Sequence, residues 1–447
     1  MNNLIQTIRN IFKIEDLRVR LINTFLFLLI YRLGSHIVLP GIDPNQLGKL
    51  QHQTSGGILG LLDMFAGGAF SHASIFALGI MPYISASIIV QLLGIAIPYF
   101  QKLQKEGESG RKKINQITRY LTVLICAGQA PGYLVNLRAT SAEAIMNNSV
   151  EFWFISIMVM VAGTIFVMWL GERITDKGVG NGISMIIMIG IIARFPASFG
   201  DEIRSRLSAT QGGLVVLLVE LIALMFVIIT VILLVQGTRR IPVQFAKKIV
   251  GNKQYGGARQ YIPLKVNAAG VMPIIFAQAI MFIPSTVAQF FPESAAWQGF
   301  GAAFTNFTSF WYNFTFALMI IVFTYFYTAI SVNPNQMAED MKRNGGFIPG
   351  IKPGKKTAEF IDNVMSKITL PGSLFLAFVA ILPTFGILLG INTNFAHFYG
   401  GTSILILVGV VLDTLQQIES YLLMRHYDGL MKSGRIKGRT QQMTAPA

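Results

Sequence analysis

The chain has 447 residues and a formal net charge of +15, yet only 13% of its residues are charged and 53% are hydrophobic. An ordinary soluble domain carries about 25% charged residues. The deficit runs along most of this chain, so the composition excludes a soluble domain with a single anchor. The one cysteine, Cys126, lies in an apolar run, which excludes a disulfide framework and a cysteine metal site.

The first segment, residues 1–20, has apolar residues at helical spacing with basic residues among and after them. It contains no small-residue cleavage site before a mature start. The pattern predicts a cytoplasmic amphipathic helix at the membrane interface and not a signal peptide.

Ten long apolar runs follow, each near the length of about 20 residues that a helix needs to cross a bilayer. They are uninterrupted and do not alternate, which favours helices over a barrel. The sequence therefore predicts an all-α integral membrane protein with spans at residues 21–39, 72–97, 117–137, 152–171, 180–196, 213–236, 268–290, 310–330, 371–391 and 402–424.

A shorter apolar run, residues 57–70, precedes the second span and is rich in glycine. It is too short to cross the membrane. We interpret it as a re-entrant half-helix.

The basic residues fix the orientation of these spans. Thirty of the 36 Lys and Arg lie on the same side as the N-terminus, five lie on the other side, and Arg32 lies within the first span. The positive-inside rule then places both termini in the cytoplasm.

Two of the predicted cytoplasmic loops, residues 237–267 and 331–370, are long, basic and interrupted by Gly and Pro. The loops are longer than is needed to fix the membrane topology. We therefore favour a docking surface for a cytoplasmic partner over loops that only anchor the topology. The candidate docking residues are Lys247, Lys248, Lys253 and Lys352, the last in a stiff turn of two prolines and two glycines.

Several kinds of chemistry have no motif in the sequence. Residues 350–357 come nearest to a phosphate-binding loop, but they are one residue short and contain a proline. The five histidines are scattered, and no nucleophile elbow is present. We therefore expect no enzymatic activity, no cofactor and no metal. The mid-span charges Arg32, Glu220 and Asp413 fit snorkelling or a structural pair better than a proton relay.

Seven motifs resemble those of one family and occur in its order along nearly the whole chain. They are ASIFALGIMPYISAS (73–87), KEGESGR (105–111), WLGE (169–172), GVGNGIS (178–184), PLKVN (263–267), FIPGIKPG (347–354) and YGGTS (399–403). Together they identify the chain as similar to the SecY family of protein-conducting channels.

The resemblance implies a clamshell of two five-helix halves, related as an inverted pseudo-repeat, around a central pore. The halves are residues 21–196 and 213–424, joined by an external hinge loop at 197–212 and followed by a cytoplasmic tail at 425–447. It also implies that the run at 57–70 is a plug beneath the pore.

The resemblance further implies site residues. An apolar ring would close the pore, formed by Ile80, Ile84, Ile187, Ile275, Ala279 and Ile406. The plug would include Leu59, Leu61, Leu62, Asp63, Met64, Phe65, Gly67 and Gly68. A lateral gate between spans 2 and 7 would involve Pro82 and Pro273 as kinks, with Gln91 and Gln278 hydrogen-bonded across it.

The function implied by the resemblance is the translocation of unfolded preproteins across a bacterial inner membrane and the insertion of membrane proteins into it. The implied partners are the SecE and SecG subunits, the SecA motor ATPase, the ribosome with its RNA, signal sequences, nascent chains and membrane lipid. A secondary transporter of a small solute is the alternative, since its number of spans is similar.

Overall fold

The structure is a computed structural model that describes residues 14–48, 60, 63–146, 149–207, 213–245, 248–250, 253–255, 259–290 and 308–432. Each of the ten predicted spans contains a helix. In chain order these helices are Glu15–Gly34, Met81–Ala96, Glu108–Thr140, Val150–Lys177, Gly182–Leu207, Gly213–Gln236, Met272–Phe290, Phe310–Ser331, Lys355–Leu388 and Gly401–Lys432. We refer to them as spans 1 to 10. The prediction of an all-α membrane protein is confirmed.

Shorter elements connect the spans. Pro98–Lys105, Pro334–Arg343 and Thr393–Ala396 are helices, Pro44–Gln46 and Ala142–Ala144 are 3-10 turns, and the strands are β1 (Thr238–Phe245), β2 (Lys248–Val250), β3 (Lys253–Tyr255), β4 (Arg259–Lys265) and β5 (Gly346–Phe347).

Within the described residues, six helices are long and apolar enough to cross a membrane by themselves. Span 2 bends by 101° into the helix that starts at Pro98. Ile97, between them, has an extended backbone, because the residue before a proline avoids the helical region.

Several span boundaries differ from the prediction. Span 1 ends at Gly34 because the next residues leave the helix and bond to another segment, with the Leu39 amide donating to the Ala73 carbonyl at 2.9 Å. A side chain at position 34 would also collide with the Phe76 ring. Span 5 continues to Leu207, so residues 197–207 of the predicted hinge loop are helical.

The two long loops are folded together. Strand β1 pairs antiparallel with β4 in the same loop and with β5 in the other loop, with Gln244 opposite Phe347. Their buried side chains form a small hydrophobic core apart from that of the spans, made of Ile241, Val243, Leu264, Met341, Ile348, Ile361 and Met365. We call this unit the loop domain.

The two halves meet along several helix contacts. Span 2 packs against span 7, and span 5 packs against span 10 and span 6. One continuous hydrophobic cluster joins the spans of both halves.

Candidate functional site

The six residues predicted to form the ring come from spans 2, 5, 7 and 10 and belong to the same hydrophobic cluster. All six side chains are buried. Ile80 precedes the helix of span 2, and the Ile84 amide donates to its carbonyl at 3.1 Å, so the two lie one turn apart. Ile275 and Ala279 have the same spacing on span 7, which puts them on one face. A water-filled pore at this level would leave such side chains accessible, so the cluster is closed here.

Part of the predicted plug lies within the described residues. Asp63, Met64, Phe65, Gly67 and Gly68 are all buried, whereas Leu59, Leu61 and Leu62 lie outside the described residues. Gly67 and Gly68 have φ of +65° and +92°, values that favour glycine. The Gly68 amide donates to the Asp63 carbonyl at 2.8 Å. Residues 63–71, which we call the plug segment, consist of a helical end at 63–65 followed by turns at 66–71.

Span 5 approaches the plug segment closely at Gly190. A side chain there would meet the Phe65 carbonyl oxygen at 2.7 Å and the Gly67 nitrogen at 3.1 Å. Two phenol groups also bond to the plug backbone: Tyr31 donates to the Ala66 carbonyl at 3.1 Å, and Tyr133 donates to the Phe70 carbonyl at 2.9 Å. The plug segment is thus seated against spans 1, 3 and 5.

A charged pair joins the plug segment to span 5. The Asp63 carboxylate forms a salt bridge with Arg194 and accepts the Ser71 amide at 2.7 Å. Arg194 also donates to the Ser71 hydroxyl at 2.7 Å. Arg32 of span 1 donates to the Gly67 carbonyl at 2.5 Å.

Sequence reasoning treated Arg194 as one of five external basic residues and assigned it no role. The available signal was its position among the apolar residues that end the predicted fifth span, together with the single acid, Asp63, in the Gly-rich run.

The predicted gate residues need correction. Pro82 lies in the first turn of the helix of span 2, and Pro273 is the second residue of the helix of span 7. A proline in the first turn removes no helical hydrogen bond and starts the helix without kinking it. The expectation that these two prolines kink their spans is therefore wrong.

The two gate glutamines do not bond to each other in this structure. Gln91 donates to Ser87 of its own helix at 3.3 Å. Gln278 is buried beside a small cavity inside the second half, and its Oε1 has no hydrogen-bond partner among the described residues. This cavity is lined by residues of spans 7 to 10 and by His397, which precedes span 10. Burial lowers the pKa of His397 to about 4.

Mid-span charge is paired where the structure buries it. Glu220 of span 6 accepts from Arg206 at 2.5 Å, and Arg206 also donates to Glu202 at 2.7 Å and to the Gly390 carbonyl at 2.8 Å. The Glu202 carboxylate accepts the Asn392 amide at 2.9 Å. The prediction that Glu220 forms a structural pair is confirmed. Asp413 is exposed on span 10.

Three of the four candidate docking residues lie in described parts of the two long loops. Lys352 is exposed in a turn between Gly350 and Gly354, whose φ values are +83° and +102°. The Thr357 hydroxyl donates to the Lys352 carbonyl at 3.0 Å and holds this turn. Lys248 and Lys253 stand on the paired strands β2 and β3, while Lys247 lies outside the described residues.

Comparison with known proteins gives a consistent result. The sequence profile of the SecY family matches residues 74–415. The chain is 42% identical over 433 residues to the protein translocase subunit SecY of Streptomyces galbus, a match that covers 94% of this chain and 98% of that one. It is 40% identical over 456 residues to the corresponding subunit of Chlamydia muridarum, covering 97% and 99%.

Solved structures share the fold. A protein-conducting channel superimposes with a TM-score of 0.61 at 18% identity, covering 90% of this chain and 92% of that one. Sec61 from a canine ribosome-channel complex of the endoplasmic reticulum superimposes with a TM-score of 0.57 at 18% identity and the same coverage.

Proposed function

This chain belongs to the SecY family, and we propose that it is the channel subunit through which unfolded preproteins cross, and membrane proteins enter, the inner membrane of a bacterium. The observation that carries the proposal is the set of buried apolar side chains from both halves, which form one cluster with the plug segment. Both termini lie in the cytoplasm in this proposal, as the distribution of basic residues indicates.

The apolar ring acts as the seal. A hydrophobic constriction closes a pore by dewetting. Its branched aliphatic side chains cannot hydrogen-bond to a passing backbone, so they close around a chain of any sequence without holding it. Ala279 is the smallest member of the set and leaves the ring wider at span 7.

The contact between spans 2 and 7 is the lateral gate, through which signal sequences and membrane segments reach lipid. Buried apolar residues of both helices, Ile84 and Ile275 among them, belong to one hydrophobic cluster. Since the two glutamines do not join across it, the gate is held by side-chain packing, which lipid or an apolar signal sequence can replace at little cost.

The loop domain is the docking surface for the SecA motor and for ribosomal RNA. Lys352 presents an exposed cation on a turn that is held by the Thr357 hydroxyl and supported by the hydrophobic core of the loop domain. The channel supplies no energy itself and depends on the docked partner. The SecE and SecG subunits complete the complex in the membrane.

The test is reconstitution of the purified complex in proteoliposomes with SecA, ATP and a presecretory protein. We expect the substrate to become protected from added protease only when SecA and ATP are both present. A matched control uses a substrate whose signal sequence is deleted. Absence of protection with the intact substrate, in vesicles that contain correctly oriented protein, would reject the proposed function.

Purification separates this function from that of a small-solute carrier. The channel is expected to bring a small single-span partner with it under mild detergent. A carrier is expected to purify alone and to exchange a solute across vesicles without any motor.

A further inference from the structure

The plug segment carries one ionised group, Asp63, whose carboxylate is almost fully buried. A buried carboxylate is stable only when it is paired and hydrogen-bonded. Arg194 of span 5 provides the countercharge, and the Ser71 amide provides a further donor at 2.7 Å. The pair therefore fixes the start and end of the plug segment to one wall helix.

A second arginine holds the middle of the same segment. Arg32 of span 1 donates to the Gly67 carbonyl at 2.5 Å, and a charged donor makes a stronger hydrogen bond than a neutral one. Gly67, whose carbonyl accepts this bond, has a left-handed φ of +65°. The two arginines thus lie on spans 1 and 5, and the groups that accept from them lie on the plug segment.

The exposure of the two partners differs, and this difference indicates a contact that can open. The Asp63 side chain is 3% exposed and the Arg194 side chain is 34% exposed. The arginine is therefore accessible from outside the packed spans, whereas the carboxylate is not. When the plug segment moves away, both charges become hydrated, so their separation is reversible and does not leave an unpaired buried charge.

We propose that Asp63, Arg194 and Arg32 form an ionic latch that positions the plug segment and sets how tightly the resting channel is closed. This inference rests on the proposed function. Arg194 and Arg32 are positioning residues that act through the plug segment and touch no substrate.

The test measures ion conductance of resting channels in planar bilayers, with the complete complex and no substrate. We expect Asp63→Asn and Arg194→Gln each to raise resting conductance about tenfold, an effect between those of an exposed and a buried ion pair. Arg194→Lys keeps the charge and is expected to stay near the wild-type conductance. The matched control is Arg138→Gln, which removes an exposed arginine from the end of span 3 and should change nothing.

The double variant Asp63→Asn with Arg194→Gln distinguishes a latch from two independent effects. Because both single changes break the same pair, we expect the double variant to leak no more than the leakier single variant. Single variants as tight as wild type, or a double variant that leaks by the product of the two, would overturn the proposal. Asp63→Asn keeps the size of the side chain and remains informative if Arg194→Gln does not accumulate.

The same vesicles keep this test separate from the test of function. Translocation of a presecretory protein by the wild-type complex reports the proposed function, and resting conductance reports the latch. Wild-type channels that translocate, with latch variants that stay closed, would reject the latch alone. Wild-type complex that fails to translocate would reject the function, whatever the conductance of the variants.

Discussion

The loop domain can be tested by a single truncation in its core, Ile361→Ala. Ile361 is 1% exposed and packs with residues from the other loop, among them Ile241 and Val243 of strand β1. Truncating a buried Ile to Ala costs about 2–5 kcal/mol because apolar contacts are lost and a cavity remains. Each 1.4 kcal/mol is tenfold in an equilibrium constant, so local opening of this domain should become at least about thirtyfold more frequent.

Hydrogen exchange of the full-length channel in lipid measures this opening. We expect the amides of β1 to exchange at least about thirtyfold faster in Ile361→Ala, with protection of the spans unchanged. Leu370→Ala is the control, because Leu370 lies on the same helix and is 52% exposed. The mutated helix and the measured strand belong to different loops. Unchanged exchange in β1 would therefore refute the claim that the two loops share one core.

Three further predictions concern the ring, the docking turn and the buried histidine. Replacing Ile84, Ile187 and Ile406 together with Asn should wet the constriction, and single-channel recording should show steady resting conductance; unchanged tightness would mean that the plug alone seals or that these positions lie off the pore. Lys352→Glu should abolish secretion driven by SecA while the protein inserts at normal abundance and orientation; normal secretion would leave topology as the only role of Lys352. Burial lowers the pKa of His397 from 6.5 to about 4. Between pH 6.5 and pH 4 the unfolded state therefore binds a proton at His397 that the folded state does not bind. Thermal unfolding should show a stability loss of about 2 kcal/mol on going from pH 7 to pH 5, and His397→Gln should remove that loss; an equal loss in the variant would show that other groups cause it.

Sequence periodicity and hydropathy were sufficient to find every span, but not its ends. The helix of span 9 begins at Lys355, whereas the apolar run predicted a start at residue 371. Its first four turns belong to the loop domain, where Ile361 and Met365 are buried. Hydropathy marks where a helix can contact lipid, whereas hydrogen bonding and local packing decide where the helix ends.

The prediction of kinks at two prolines was wrong for a related reason. Pro82 and Pro273 lie inside predicted spans, and a proline inside a helix produces a kink. The predicted run for span 2 began nine residues before its helix, because residues 72–80 are apolar but form turns. Apolar composition does not distinguish a buried turn from a helix, so an initiating proline was interpreted as an internal one.

The strands of the loop domain had a visible signal. In β1 the buried residues Ile241 and Val243 alternate with exposed ones, the period of a half-buried strand. The pairing of β1 with β5 could not be found in this way, since β5 has only two residues and lies in another loop. Contacts of this kind depend on the placement of the surrounding helices.

The charged pairs were the least predictable features, and their burial distinguishes the parts of the channel that move from those that stay together. Arg206 is 6% exposed and bonds two carboxylates as well as the Gly390 carbonyl, which follows span 9. Its loss would leave Glu202 and Glu220 buried without a countercharge, a change that costs about 3–5 kcal/mol in comparable buried pairs. Arg194 is 34% exposed, and release of Asp63 lets water reach both partners. We therefore expect Arg206 and its two carboxylates to hold the end of the first half to the second half during opening, and the pair of Asp63 and Arg194, whose arginine is partly exposed, to separate.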